Sequence, residues 1–97
     1  MNADSELLRL LHRAIDRYKR YPRSTRLMGG EGTAVVDFRL SSDGTVSALR
    51  VDHSSGFDAL DAAALTAVRS IAPFSPAAEY LHAPRRFQVR IVFRLRH

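Results

Sequence analysis

The stretch Phe87-Gln88-Val89-Arg90-Ile91-Val92-Phe93-Arg94-Leu95 alternates strictly: Phe87, Val89, Ile91, Phe93 and Leu95 fall on one side, Gln88, Arg90, Val92 and Arg94 on the other. A period of two marks a half-buried β-strand, because successive side chains leave a strand on opposite faces. One face is an unbroken apolar row that needs a core, and the other is mostly arginine and suits water. A lone strand has no stability of its own, so this stretch must pair with other β segments. It is the last element of the chain, and its outer backbone edge is expected to lack a partner within the molecule.

Upstream, Pro73, Pro76, Ala77-Ala78 and Pro84 read as a loop that delivers the chain to Phe87. Before that loop Phe57, Leu60, Ala64, Val68 and Ile71 recur at helical spacing, with Ala63 and Ala67 between them, which predicts an alanine-rich helix able to sit close to a sheet. Ser55 followed by Asp58 resembles a capping box, and Asp61 suits the first turn. Further back, Thr33 to Ser41 alternates with Ala34, Val36, Phe38 and Leu40 on one face and Val35, Asp37 and Arg39 on the other. Ser41-Ser42-Asp43-Gly44 then turns the chain into a return strand from Thr45 to His53. Val46 has one parity in that strand and Leu49 and Val51 the other, so either a β-bulge lies near Ser47 or Ala48 or Val46 faces solvent.

At the N-terminal end, Leu8, Leu11, Ile15 and Tyr18 recur at helical spacing, Leu7 and Ala14 widen the stripe, and Arg9, Arg13, Asp16 and Arg17 lie off it. This predicts an amphipathic helix from Ser5 to Tyr18, capped by Asp4 or Ser5, with Lys19 and Arg20 opposing the negative pole of its dipole. Pro22 stops the helix and makes Tyr21 extended. From Arg23 to Gly32 the pattern lapses, and Gly29, Gly30 and Gly32 predict an irregular connection. A phosphate-cradling loop is disfavoured, since no Gly-Lys-Ser/Thr follows and the glycines precede a strand.

The predicted fold class is α+β, a two-layer sandwich. A three-stranded antiparallel or mixed sheet (β-hairpin, helix, third strand) packs on a helix and is preceded by an N-terminal helix. The natural division is an N-terminal amphipathic helix over 1–20 and a single globular unit over 21–97. The second and third strands flank a helix and are expected to run parallel. A right-handed crossover places the last strand past the first, at an edge, with a position beside the second strand as the alternative. Phe38, Val51, Leu60, Val68, Ile91 and Phe93 are expected to share one core.

Ninety-seven residues with 45% apolar content support one domain. The absence of cysteine excludes disulfides and thiolate metal sites. No window approaches the ~20 apolar residues of a membrane-spanning helix. A net charge of +5 would suit an acidic partner, but the basic residues, all arginine except Lys19, scatter from Arg9 to Arg96 and are explained by solvation. His12, His53, His82 and His97 are not spaced as metal pairs with one another or with Asp or Glu. Asp52, His53, Ser54 and Ser55 are neighbours along a strand that point to opposite sides, not an assembled triad. Asp58 and Asp61 are helix-start charges. No metal, cofactor or catalytic set is indicated, and the chain reads as a binding module.

Tyr21-Pro22-Arg23, then Gly32, the hairpin with Asp43-Gly44, Val51 with Ser54-Ser55-Gly56, Leu60-Asp61-Ala62-Ala63, Val68-Arg69 and Pro73-Phe74 form an ordered set ending in an alternating strand. From Tyr21 to Leu95 that set resembles the C-terminal domain of TonB-family energy transducers. The resemblance implies a periplasmic domain of an inner-membrane-anchored protein, gripping the TonB box, a short extended peptide of outer-membrane siderophore, haem or vitamin transporters. It also implies work with the ExbB and ExbD motor through an N-terminal part. That part is missing here, and the simplest explanation is an excised domain with an added Met1. The family's glutamine before Tyr-Pro is absent, with Tyr18, Lys19 and Arg20 in its place, so backbone recognition is expected to matter more than side-chain recognition.

Carried over residue by residue, the resemblance makes the partner-binding set Arg20, Tyr21, Pro22 and Arg23 together with Gln88, Val89, Arg90, Ile91, Val92, Phe93 and Arg94. Pairing of two such edges would give a homodimer. The rivals are a TolA-like envelope adaptor and a small nucleic-acid-binding sheet using Arg90, Arg94 and Arg96. The second rival lacks exposed paired aromatics, since Phe87 and Phe93 share the buried parity, so no nucleic-acid partner is expected.

Overall fold

The computed structural model describes residues 3–95. Met1, Arg96 and His97 lie outside the described residues, as does the side chain of the cap candidate Asp4. The order is α1 (Ala3–Tyr18), α2 (Arg23–Leu27), β1 (Gly32–Leu40), β2 (Val46–His53), α3 (Asp58–Ser70), α4 (Ala77–Tyr80) and β3 (Arg85–Phe93). The strands form one sheet in the order β2-β1-β3, and β1 is antiparallel to both neighbours. β2 and β3 therefore run the same way, as the intervening helix requires, but β1 stands between them and the pairing is wholly antiparallel. The last strand is at an edge.

Alternation places Ala34, Val36, Phe38 and Leu40 of β1 and Val89, Ile91 and Phe93 of β3 on the covered face, all buried. Leu60, Ala64, Ala67 and Val68 of α3 and Leu7, Leu11 and Ile15 of α1 close that face into one core. Val51, expected in this core, is only half-buried at the outer strand β2. α1 is turned relative to the expected stripe: Leu7, Leu11 and Ile15, spaced by four, face inward, while Leu8 and Tyr18 are exposed.

Four local expectations are corrected. β3 begins at Arg85 and ends at Phe93 instead of spanning Phe87 to Leu95, because Phe93 pairs with Gly32, the first residue of β1, and nothing of β1 remains for Leu95. Leu95 instead donates its N–H to the Glu31 carboxylate. The connection after Tyr21-Pro22 contains the single-turn α2, and the proline-rich loop contains α4, with Pro22 and Pro76 at their N-caps. Proline suits a helix start because its missing N–H would be unpaired there anyway. The N-cap of α3 is Phe57 with no side-chain cap, and Asp61, not Asp58, reaches back to accept from the Ser55 N–H at 2.8 Å and from the Ser54 hydroxyl. Burial alone would raise the Asp61 carboxyl, but the bonds from Ser54 and Ser55 hold it below its ordinary value.

The hairpin turns at Gly44, where φ is +88°, and a Cβ there would lie 2.4 Å from the Phe74 backbone N, so both conformation and space call for glycine. The Phe74 N–H donates to the Gly44 carbonyl at 2.9 Å, tying the turn to the loop after α3. The expected bulge is present. Arg39 pairs with Ser47 but Asp37 with Arg50, leaving Ala48 and Leu49 opposite Phe38, and Ala48 has φ 51°. A second irregularity leaves Asp52 unmatched between Val51 and His53.

Candidate functional site

Which main-chain groups of β3 are free follows from one hydrogen bond. Ser41 donates its N–H to the Thr45 carbonyl across the hairpin, so Ser41 turns its polar groups toward β2 and Leu40, the next residue in, turns them toward β3. Leu40 pairs with Arg85, and the β1–β3 register runs without a shift to Gly32 and Phe93. Arg85, Phe87, Val89, Ile91 and Phe93 therefore bond to β1. Arg86, Gln88, Arg90 and Val92 direct their N–H and C=O outward, along the free edge.

The C-terminal end of that edge is met by the segment joining α1 to α2. The Tyr21 ring stands edge-on to Phe93, with centroids 5.5 Å apart and planes at 87°. Its hydroxyl donates to the Gly30 carbonyl. Gly30 is confined beneath it, since a Cβ there would lie 2.7 Å from the Thr25 methyl. Burial, and secondly the Glu31 carboxylate, push the Tyr21 hydroxyl above its ordinary value. Lys19, not among the residues expected in the site, donates from Nζ to the carbonyl of Val92 at 2.6 Å and sits 5.6 Å from the Phe93 ring centroid. That bond independently agrees with the outward direction of Val92.

Tyr21, Val92 and Phe93 are thus brought together. Arg20 and Pro22 turn elsewhere, lining a shallow groove of about 630 Å³ with Tyr18 of α1 and Ala59, Ala62, Ala63, Thr66 and Ser70 along α3. Arg23 is exposed at the start of α2. Val89 and Ile91 are core residues that reach the edge only through their neighbours. Arg90 is exposed on the open face of the sheet, and Arg94 lies beyond the strand beside a hollow lined by Glu31, Gly32, Thr33, Val92 and Phe93.

Gln88 is held in a network on the open face. Asp37, buried at the centre of that face, accepts from Arg50 at 2.8 Å and from Gln88 at 2.9 Å, with Arg86 at 3.4 Å. Gln88 also donates to Asp52 at 3.1 Å. A buried carboxylate is tolerated because it is paired and hydrogen-bonded. The network ties β2 and β3 across β1 and orients the first side chains of the edge. Among the described residues no group of three or more His, Asp or Glu stands together in a way that would hold a metal ion. No helix among them is long and apolar enough to cross a membrane.

The model of the Gram-negative bacterial TonB protein C-terminal family matches residues 17–95. Protein TonB of Pasteurella multocida is 36% identical over 85 residues, which is 88% of this chain and 32% of that protein, so the chain spans about a third of this relative's length. In three dimensions the chain is similar to the C-terminal domain of Helicobacter pylori TonB, solved by NMR, with TM-score 0.76 and 29% identity, covering 95% of this chain and 83% of the other. It is also similar to TolAIII solved bound to a peptide derived from the N-terminus of TolB, with TM-score 0.58 and 25% identity over 84% of this chain and 69% of the other.

Proposed function

This chain belongs to the family of Gram-negative bacterial TonB C-terminal domains, and on that footing we propose that it grips an extended segment of an outer-membrane transporter along the free edge of β3. The observation that carries the reading is the unbroken register of β3, which sets the outward N–H and C=O groups of Arg86, Gln88, Arg90 and Val92 at a constant two-residue repeat. A segment added there gains affinity from main-chain bonds with little demand on its side chains. This suits a transducer that serves several transporters. Tyr21, fixed between Phe93 and Gly30, bounds the C-terminal end of the β3 edge, and Pro22 follows it at the start of α2. The similar TolA domain solved with a peptide bound supports the reading that this architecture suits peptide capture.

In the whole protein the domain stands in the periplasm, joined to an inner-membrane anchor that works with ExbB and ExbD, and it passes their proton-driven work to siderophore, haem or vitamin uptake. A ladder of bonds along an extended segment shares a pulling load. Its role is mechanical coupling without catalysis. The test is capture of outer-membrane proteins on the immobilised domain, followed by mapping of the bound segment. Recovery of transporters through a short segment near their N-termini is expected. Binding through a folded surface with no such segment contradicts the proposal. Tyr21→Ala is expected to weaken capture without abolishing it.

A further inference from the structure

We propose that Lys19 guards the docking edge, closing it to a second copy of this chain while leaving it open to a foreign strand. This rests on the reading of β3 as the docking edge. A free, regular edge is a template for its own kind, and lysine is one of the residues by which natural sheets blunt such edges. Lys19 is the only lysine in the sequence and comes from a connection far from β3 along the chain.

The geometry of self-pairing shows what the lysine opposes. Two β3 edges related by a two-fold axis, using all four outward residues, would pair Arg86 with Val92 and Gln88 with Arg90, in both directions. Each end of that ladder needs the carbonyl of Val92 as acceptor for the N–H of Arg86 in the other copy. In this molecule that carbonyl already accepts from the Lys19 ammonium at 2.6 Å, and the ammonium is further held over the Phe93 ring. Self-pairing would therefore crowd the incoming Arg86 N–H and the Lys19 ammonium onto one carbonyl oxygen at each end of the ladder, and displacing the lysine would strip an ammonium group of its partner. It would also bring Lys19 of each copy toward Arg86 of the other and set the two Arg90 side chains diagonally across the seam, since Arg86 faces Val92 and Arg90 faces Gln88. Like charges brought this close oppose pairing. A foreign strand without basic side chains pairs with Arg86, Gln88 and Arg90, meets no second lysine, and leaves the cap in place.

Sedimentation equilibrium of the chain and of Lys19→Met, Lys19→Ala and Lys19→Arg tests this, with thermal melts to establish that each variant is folded. The natural chain and Lys19→Arg, which keeps a charged donor, are expected to remain monomeric. Lys19→Met and Lys19→Ala are expected to self-associate about a hundredfold more tightly, about tenfold for each of the two caps removed. In their dimers the amides of Arg86, Gln88, Arg90 and Val92 gain exchange protection. Self-association of both uncapped variants no tighter than that of the natural chain overturns the proposal, as does association that protects β2 instead. A transporter segment that maps to β2 while the uncapped variants still pair through β3 refutes the docking reading and leaves the guard standing. A segment that maps to β3 with unchanged association refutes the guard alone.

Discussion

Among the described residues no further strand pairs with either rim of the sheet, yet the rims differ in the one property that strand addition needs. β3 pairs with β1 at every residue from Arg85 to Phe93 without a shift in register. β2 has two irregularities within 8 residues, at Ala48-Leu49 and at Asp52, and Ala48 adopts φ 51°. A bulge tilts the local peptide groups and breaks their repeat, so an incoming strand cannot stay in register along β2. Exposure and regularity thus point to different rims: β2 is the more exposed strand, whereas β3 is anchored by the buried Val89, Ile91 and Phe93 and presents a periodic outer edge. The bulges blunt one rim, and a single lysine caps the end of the other.

The largest effect should come from Arg90→Pro. The Arg90 N–H points outward, so the substitution spares the β1 pairing but removes a donor from the middle of the edge and adds a ring where the partner must lie. Transporter-segment affinity, read by calorimetry, is expected to fall at least about a hundredfold with the melt largely kept. Unchanged affinity would shift attention to the β2 rim.

The unequal anchoring of the two rims predicts unequal stability losses. Phe93→Ala and Ile91→Ala, each opening a cavity under β3, are expected to cost about 2–5 kcal/mol by denaturant unfolding. Val51→Ala on the half-buried strand β2 is expected to cost about 1 kcal/mol. Equal losses at Ile91 and Val51 would show that β2 is as firmly anchored as β3.

Smaller effects concern the ends and the bulge of β2. The Asp61 carboxylate, which joins the loop after β2 to α3, has its pKa lowered in the folded state. Its contribution is present in full above the unfolded value near 3.9 and is lost as pH falls through the lower folded value. Asp61→Asn is therefore expected to destabilise by about 0.5–1 kcal/mol at neutral pH, with the difference from the natural chain disappearing on acidification below the carboxylate range. A gap that persists at low pH would contradict the assignment. Ala48→Gly relieves a left-handed alanine and is expected to raise stability by about 0.5 kcal/mol, measured as an increased denaturation midpoint. A loss would show that the bulge is not strained.

Much of this architecture was legible because it is periodic. The alternation through Phe93 marked β3 and its covered face, and the parity conflict between Val46 and Val51 marked the bulge at Ala48. Where two registers satisfied the same spacing, periodicity was insufficient. Leu7, Leu11 and Ile15 compete with Leu8, Leu11, Ile15 and Tyr18 for the inner face of α1, and only packing in the shared core, chiefly beside α3, selects the former. α2 and α4, of 5 and 4 residues, are too short to carry a period. The capping box failed because Ser54 and Ser55 reach Asp61 on the next turn. Lys19 on Val92 and Asp37 beneath Arg86 and Gln88 join residues far apart in the chain, and no local pattern encodes such pairs. Family resemblance put Tyr21 in the partner-binding set without saying what it touches, and its edge-on contact with Phe93 and its hydroxyl bond to Gly30 became visible only in the structure.

Amide exchange on adding a synthetic N-terminal segment of a captured transporter is the most direct test of strand addition at β3. New protection is expected at the outward amides of Arg86, Gln88 and Arg90, in alternation with the already protected amides of Phe87, Val89 and Ile91, and none along β2. Protection that appears from Val46 to His53 while β3 stays unchanged would contradict docking at the regular rim.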